Sequence, residues 1–352
     1  SADTADDIVE VDAGGGWICP GFIDIHVHGG GGSDTMDADV EAVRTMARTH
    51  ARYGTTSFLP TTVTAPHEQL LQVAAVVREA VQTWTGGAHI LGLHLEGPYV
   101  NPRRAGAQNP EHMRPPVKKE LEELYEAAGS TWRLVTLAPE LPGALDAIEW
   151  LTERDIIVSM GHTDATHEQT MAAVKFGARH ATHLFNAMRG LHHREPGAVG
   201  AMLSSDEVVV ELIADGEHVH PAALRLAAHV KGVDRVCLVT DCMRARDLPD
   251  GRYKLGDLDV LVQDGKARLA DDPDTIAGSL LTMGDAVRVM VRSVGVPLTD
   301  AVAMASATPA RALGVYESKG SLEPGKDGDV VVLDTELRVR ATVVSGRLVY
   351  SQ

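Results

Sequence analysis

From Pro20 to Asp241 the chain keeps repeating one unit, a short apolar run followed by an amphipathic helical segment. "GFIDIHVHG" leads into "DADVEAVRTMARTHARYG", with an Asp near the helix start and Gly54 as its stop signal. "TTSFLPTT" precedes "PHEQLLQVAAVVREAVQTW", where Pro66 suits a first helical turn. The runs "HILGLHLEGP", "WRLVTLAP", "IIVSMGHT", "HATHLFNA", "VVVELIADG" and "VCLVTD" continue the pattern. Several of these are apolar at successive positions rather than alternating, as strands covered on both faces are. Eight such units in a little over 200 residues predict an α/β chain with a (β/α)8 TIM-type barrel. An open doubly wound sheet would use the same elements, but no Gly-rich dinucleotide fingerprint follows a strand.

Beyond Asp241 the character changes. "LPDGRYKLGDLDVLVQDGKARLADD" predicts hairpins with turns at "PDG" and "QDG". Two helical segments follow, "LLTMGDAVRVMVRSVG" and "LTDAVAMASATPARALG", and the rest is β-rich. Those last strands cannot sit inside a closed barrel. The expected division is therefore a barrel over residues 20–313 and a small β-sandwich-like domain from both chain ends, residues 1–19 plus 314–352. With only about 19 residues ahead of the barrel that domain is expected to be incomplete, and the acidic start does not read as a signal peptide.

Composition narrows the function. A formal net charge of −17 repels phosphate backbones, so nucleic acid and anionic membranes are poor partners. A small anion remains an acceptable ligand if a local basic pocket receives it. No apolar run approaches the roughly 20 residues of a membrane helix. The three cysteines, Cys19, Cys237 and Cys242, form no CxxC pair and suit a reducing compartment, the cytoplasm.

Histidine is the outlier at 16 residues. Catalytic groups of such barrels gather at the C-terminal ends of the strands. There the chain places His26 and His28, Glu96, His162, His183, His218 just past the seventh strand, and Asp241. Residues two apart in a strand share a face, so His26 and His28 both point into the barrel mouth. Each residue taken singly has an ordinary structural explanation: a hydrogen-bonded core histidine, a mouth ion pair, a helix cap. Their recurrence at one end of successive strands is what points to metal chemistry. Imidazole and carboxylate together bind zinc or iron, and this set is enough for one divalent ion or two. A bound metal lowers the pKa of water and polarises a carbonyl. Asp241 would take a proton and return it to a leaving amine, and His218 would hydrogen-bond the carbonyl oxygen. Hydrolysis of an amide or imine C–N bond is the expected class, with no serine or cysteine nucleophile motif to compete. His192 and His193 read as surface loop residues, and His50, His67, His112, His167 and His229 are given no role.

His-x-His on the first strand, His on the fifth and sixth, and Asp on the eighth resemble the amidohydrolase superfamily. The motifs "PGFIDIHVHGGGG", "HLEGPYVNPRRAGAQNP", "GHTDAT", "THLFNAM", "REPGAVGAML", "IADGEHVHP", "LVTD" and "AGSLLTM" together resemble its N-acetylglucosamine-6-phosphate deacetylases. The resemblance implies acetate removal from a phosphosugar, with Glu96, His162 and His183 on the main metal and His26 and His28 on a second. It implies Asp241 as general base and acid and His218 near the substrate carbonyl. It further implies Asn186 and Ala187 as backbone contacts to the phosphate, and Arg194 as a phosphate-binding arginine that acts across a homodimer interface in some members. The resemblance also places Gln108 among the substrate-binding residues, at a loop position where some relatives have His. The segment "TDCMRARDLPDG", with Cys242, Arg244, Arg246 and Asp247, departs from the smaller residues common after that Asp. Relatives that bridge two metals with a modified lysine on the fourth strand are disfavoured, since "RLVTLAPE" has none. The galacto epimer of the substrate stays open, as does a metal-binding scaffold without catalysis, although such a scaffold needs neither Asp241 nor His218.

Overall fold

A computed structural model describes residues 10–352. Residues 1–9, assigned above to the small β domain, lie outside the described residues. The interior is parallel sheet. Six strands, Leu93–Glu96, Trp132–Leu137, Ile157–Met160, His180–Ala181, Val209–Ile213 and Val236–Val239, lie side by side in chain order. Phe22–Val27, Thr55–Pro60 and His89–Ile90 form a second parallel sheet. Single parallel bridges join the two sheets, Thr61 to His94 on one side and Val27 to Cys242 on the other. Phe22–Val27, Thr55–Pro60 and Leu93–Glu96 are buried at every position, polar residues included, as strands covered on both faces are.

Helices cover this sheet with their apolar stripes inward. Val40–Ala51 is capped by Asp39, which accepts from the Glu41 amide, and it buries Ala42, Val43, Met46, Ala47 and Ala51. His167–Lys175 starts at a reciprocal box between Thr166 and Gln169. Among the described residues no helix is long and apolar enough to cross a membrane.

Four details differ from the sequence expectations. The third run breaks between Ile90 and Leu93 because the chain passes too close to its neighbour: a Cβ on Gly92 would lie 2.3 Å from Arg133 Cγ and 2.4 Å from the Thr131 carbonyl oxygen. The sixth strand pairs over His180 and Ala181 alone, since His183 turns the backbone into the left-handed region at φ 29°. The stretch after "THLFNAM", expected as loop, contains a helix, Gly197–Ser204. The "PDG" turn leads into the first strand of a three-stranded antiparallel sheet instead of closing a hairpin. That sheet comprises Gly251–Leu255, Leu258–Gln263 and Lys266–Leu269, and "QDG" does form its second turn.

At the chain ends Trp17–Pro20 pairs antiparallel with Val330–Leu333, followed by Val339–Val344 and Arg347–Ser351. The described residues form one four-stranded sheet there, not two facing sheets. It is tied to the first parallel strand directly, since the Gly21 amide donates to the Asp329 carbonyl at 2.9 Å.

Candidate metal centre and active-site cavity

The C-terminal ends of the parallel strands converge on a group of imidazoles and carboxylates. Glu96 ends Leu93–Glu96 and is essentially buried. Its Oε1 lies 3.2 Å from His162 Nε2 and 3.1 Å from His183 Nε2, and those two nitrogens are 3.1 Å apart. On its other side, Glu96 Oε2 lies 3.4 Å from His28 Nε2. His26 Nε2 is 3.3 Å from His28 Nε2 and 3.5 Å from Glu96 Oε1. Asp241 Oδ1 sits 3.0 Å from His28 Nε2 and 3.7 Å from His26 Nε2. The six residues named for the metal thus form two triads that share Glu96, with Asp241 beside the second.

Whether these groups fit a cation follows from where the protons sit. His162 Nδ1 donates to the Arg104 carbonyl at 2.9 Å, and His28 Nδ1 to the Thr61 carbonyl at 3.2 Å. His26 Nδ1 donates to the Glu211 carboxylate at 2.9 Å. Carbonyl and carboxylate oxygens only accept, so each Nδ1 carries a proton, and in the neutral ring each Nε2 turns a lone pair inward. Lone pairs facing one another and a carboxylate repel unless a cation lies among them. For ligands about 2.0–2.1 Å from zinc, a tetrahedral site spaces its donors about 3.3 Å apart, the spacing found here. The donor set therefore fits a divalent metal.

Electrostatics agree. Burial disfavours charge on Glu96 and Asp241, yet surrounding imidazoles outweigh it. His26 and His162 hold Glu96 well below the usual carboxylate range, and His28 and His26 hold Asp241 below it. Burial likewise works against an imidazolium at His26, but Glu96 and Glu211 raise its pKa well above the usual value. A bound cation would displace the ring protons and supply the same balancing charge to the buried carboxylates.

Three of these residues adopt a backbone that L-residues rarely take: φ is 45° at His162, 29° at His183 and 51° at Asp241. Such conformations cost about 1–3 kcal/mol each and persist where neighbours fix them. Here the His162 carbonyl accepts from Asn101 at 2.9 Å, the His183 amide donates to Glu211 at 3.1 Å, and the Asp241 carbonyl accepts from Ser279 at 2.7 Å.

Above the metal residues opens a cavity of about 250 Å³. His28, Glu96, Gln108, His162, His183, Asn186, Ala187, His218 and Asp241 all line it, together with Leu255, Asp274, Thr275 and Ile276 from the segments beyond the eighth strand. His26 lies one layer deeper and does not line it. Gln108 reaches Glu96: its amide donates to Oε2 at 2.5 Å while its carbonyl accepts from the Thr64 amide at 2.5 Å. His218 is held by Asp215 at 2.6 Å, and this contact outweighs burial to raise its pKa. Arg194 is not brought to this cavity by its own chain. It sits exposed, its guanidinium 2.8 Å from His193 Nε2.

Three partners, two of them buried, escaped the sequence reading. Glu211, on Val209–Ile213, orients His26; a lone Glu inside "VVVELI" was the available signal. Asp215, in "IADGEHVH", orients His218. His94, two residues before Glu96, donates from Nδ1 to the Ile25 carbonyl at 3.0 Å and meets Thr136 Oγ1 at 2.7 Å, packing its ring edge-on to His26.

A sequence profile of the amidohydrolase family matches residues 17–349. An N-acetylglucosamine-6-phosphate deacetylase of Bacillus subtilis is 43% identical over 336 residues, 95% of this chain and 84% of that protein. An N-acetylgalactosamine-6-phosphate deacetylase of Escherichia coli O157:H7 is 45% identical over 331 residues, 94% of this chain and 87% of that protein. Among solved structures, the N-acetyl-D-glucosamine-6-phosphate deacetylase of Mycobacterium smegmatis, a mutant in complex with N-acetyl-D-glucosamine-6-phosphate, superposes with a TM-score of 0.91. It is 40% identical, with coverage of 95% of this chain and 87% of that one. An enamidase at 15% identity and a TM-score of 0.59 shares the fold.

Proposed function

The chain belongs to the amidohydrolase family, and from that membership we propose that it hydrolyses the acetamido group of N-acetylglucosamine 6-phosphate to glucosamine 6-phosphate and acetate. The observation that carries this reading is the convergence of the His28, His162 and His183 Nε2 atoms on the Glu96 carboxylate. We read the two parallel sheets, joined by the Thr61–His94 and Val27–Cys242 bridges, as one eight-stranded barrel over residues 20–313. The sheet of the chain ends then belongs to a small β domain of residues 1–19 plus 314–352.

In this reading Glu96, His162 and His183 hold the main metal, and His26, His28 and Asp241 complete a second position around the same carboxylate. The donor set suits zinc or iron, one or two ions per chain. When bound, a divalent cation supplies a Lewis acid that polarises an amide carbonyl and makes nearby water more acidic. Asp241, ionised and buried beside His28, takes the proton of the attacking water and then passes it to the departing sugar nitrogen. His218, its pKa raised by Asp215, donates in its protonated form to the carbonyl oxygen as negative charge builds there. Gln108 fixes Glu96 from the cavity side.

The phosphate needs positive charge, yet the residues named as lining the cavity include no Lys or Arg. Asn186 and Ala187 would offer backbone contacts, and Arg194 of a second copy in a homodimer would bring the guanidinium. Three buried, unpaired cysteines suit the cytoplasm. The galacto epimer is the second reading, favoured by the 45% identity to the Escherichia coli enzyme.

One assay tests the proposal: acetate release from N-acetylglucosamine 6-phosphate, its galacto epimer and the unphosphorylated sugar, with metal content measured on the same preparation. The expected result is metal-dependent release, fastest with the gluco phosphate, and an R194A variant whose KM rises for the phosphosugar alone. Absence of acetate from both phosphosugars in metal-loaded protein would overturn it.

A further inference from the structure

Glu211 has no part in the chemistry above and does not line the cavity, yet it is a wholly buried carboxylate in the middle of an apolar strand. Isolated, such a charge is costly, and an apolar residue of similar volume would serve packing equally well. Its contacts are specific. Glu211 Oε2 accepts from His26 Nδ1 at 2.9 Å and from the His183 backbone amide at 3.1 Å. One oxygen therefore touches a ligand of each triad. The other, Oε1, lies 3.4 Å from His180 Nε2.

His26, His94 and Glu211 stand close enough to hold an ion of their own. That alternative fails on His94, whose Nδ1 is spent on the Ile25 carbonyl and whose Nε2 is spent on Thr136. Glu211 is likewise engaged by His26 and the His183 amide. What the carboxylate does determine is the proton on His26. With the hydrogen fixed on Nδ1, Nε2 is left to face His28 and Glu96 at 3.3 and 3.5 Å. A carboxylate behind a ligating imidazole also makes that ring a stronger donor.

We infer that Glu211 is a positioning residue of the metal centre, acting through His26 to orient and strengthen the second triad. This rests on the metal reading of the preceding subsection. It goes beyond that reading by placing a determinant of metal affinity on the seventh strand, out of reach of the substrate.

The test is zinc binding by competition with a chromophoric chelator, on wild type, E211Q, H26A and the double variant. The glutamine oxygen can still accept from the His183 amide, so E211Q removes the charge behind His26 and little else. Outer carboxylates of this kind are typically worth about 10- to 100-fold in metal affinity. E211Q is expected to weaken at least one zinc-binding step by about tenfold, with circular dichroism unchanged, and to add nothing in the H26A background. E211D, which withdraws the charge by one methylene, carries the same expectation should E211Q fail to fold. Zinc affinity unchanged in E211Q, or an equal loss with and without His26, would overturn the assignment. A wild type that binds no zinc would instead remove the metal reading itself.

Discussion

Two of the places where this molecule buries charge balance it in different ways. At the junction with the chain-end sheet, Lys319 is buried with its Nζ 2.7 Å from Asp329 and 2.9 Å from Asp327. That region supplies its own cation. At the strand ends, Glu96, Glu211 and Asp241 are buried among imidazoles whose Nδ1 atoms are mostly committed to oxygen acceptors. There the balancing charge can come only from protons on the rings or from a cation that displaces them. The first arrangement completes a fold, and the second leaves room for a ligand and for chemistry.

The largest effect should come from the group that moves protons. D241N keeps the shape of Asp241 but removes its basicity. Acetate release is expected to fall about 10³-fold, within the range typical of general acid–base groups, while phosphosugar binding and zinc at the Glu96, His162 and His183 position stay close to wild type. A near-normal rate would mean that the charge at the strand ends serves binding alone, and the contrast with the chain-end pair would weaken.

K319M should be the reverse case. Removing the ammonium leaves Asp329 buried without its partner, and breaking a buried pair in this way costs about 3–5 kcal/mol. The urea midpoint is expected to drop accordingly, with kcat per folded molecule unchanged. If activity fell and stability did not, the two regions would be coupled, and the chain-end sheet would have a part in the site.

How much of this was legible beforehand follows the same division. The parallel strands announced themselves because strands buried on both faces carry apolar residues at successive positions, as Val236–Val239 does. His26 and His28 were legible as a pair because alternation puts residues two apart on one face, and the fold then brings their Nε2 atoms within 3.3 Å. Glu211 was not, because a single carboxylate in an apolar run looks the same whether it faces solvent or a buried imidazole. Asp215 and His94 were hidden for the same reason: their roles lie in hydrogen bonds across strands. The helix Gly197–Ser204 was missed because it is buried over most of its circumference and rich in glycine, so it shows little amphipathic period. Arg194 was legible as a motif residue, but its distance from the cavity of its own chain was not.

The smallest expected effect concerns the pair that bridges the two kinds of region, His218 and Asp215, charged like the Lys319 pair but set at the cavity wall. Asp215 raises the pKa of His218 above its ordinary 6.5, and His218 lowers that of Asp215 below its ordinary 3.8. The raised histidine stabilises the fold fully below about pH 6.5, and this is lost as pH rises through its folded pKa. The lowered aspartate stabilises it above about pH 3.8, and this is lost as pH falls through its own folded pKa. The pair therefore contributes most between these limits. D215N removes a hydrogen bond between charged groups, typically about 1.5 kcal/mol. The stability gap between wild type and D215N, measured by urea unfolding across pH 4 to 9, should be widest near pH 5 and narrow on the alkaline side. Activity should change in the same direction, because a neutral His218 is a weaker donor to the developing oxyanion. The alkaline limb of the kcat profile is expected to move to lower pH in D215N. A gap that stayed constant with pH would show that Asp215 holds the His218 ring in place without altering its charge, so that this pair would resemble neither the metal centre nor the Lys319 pair.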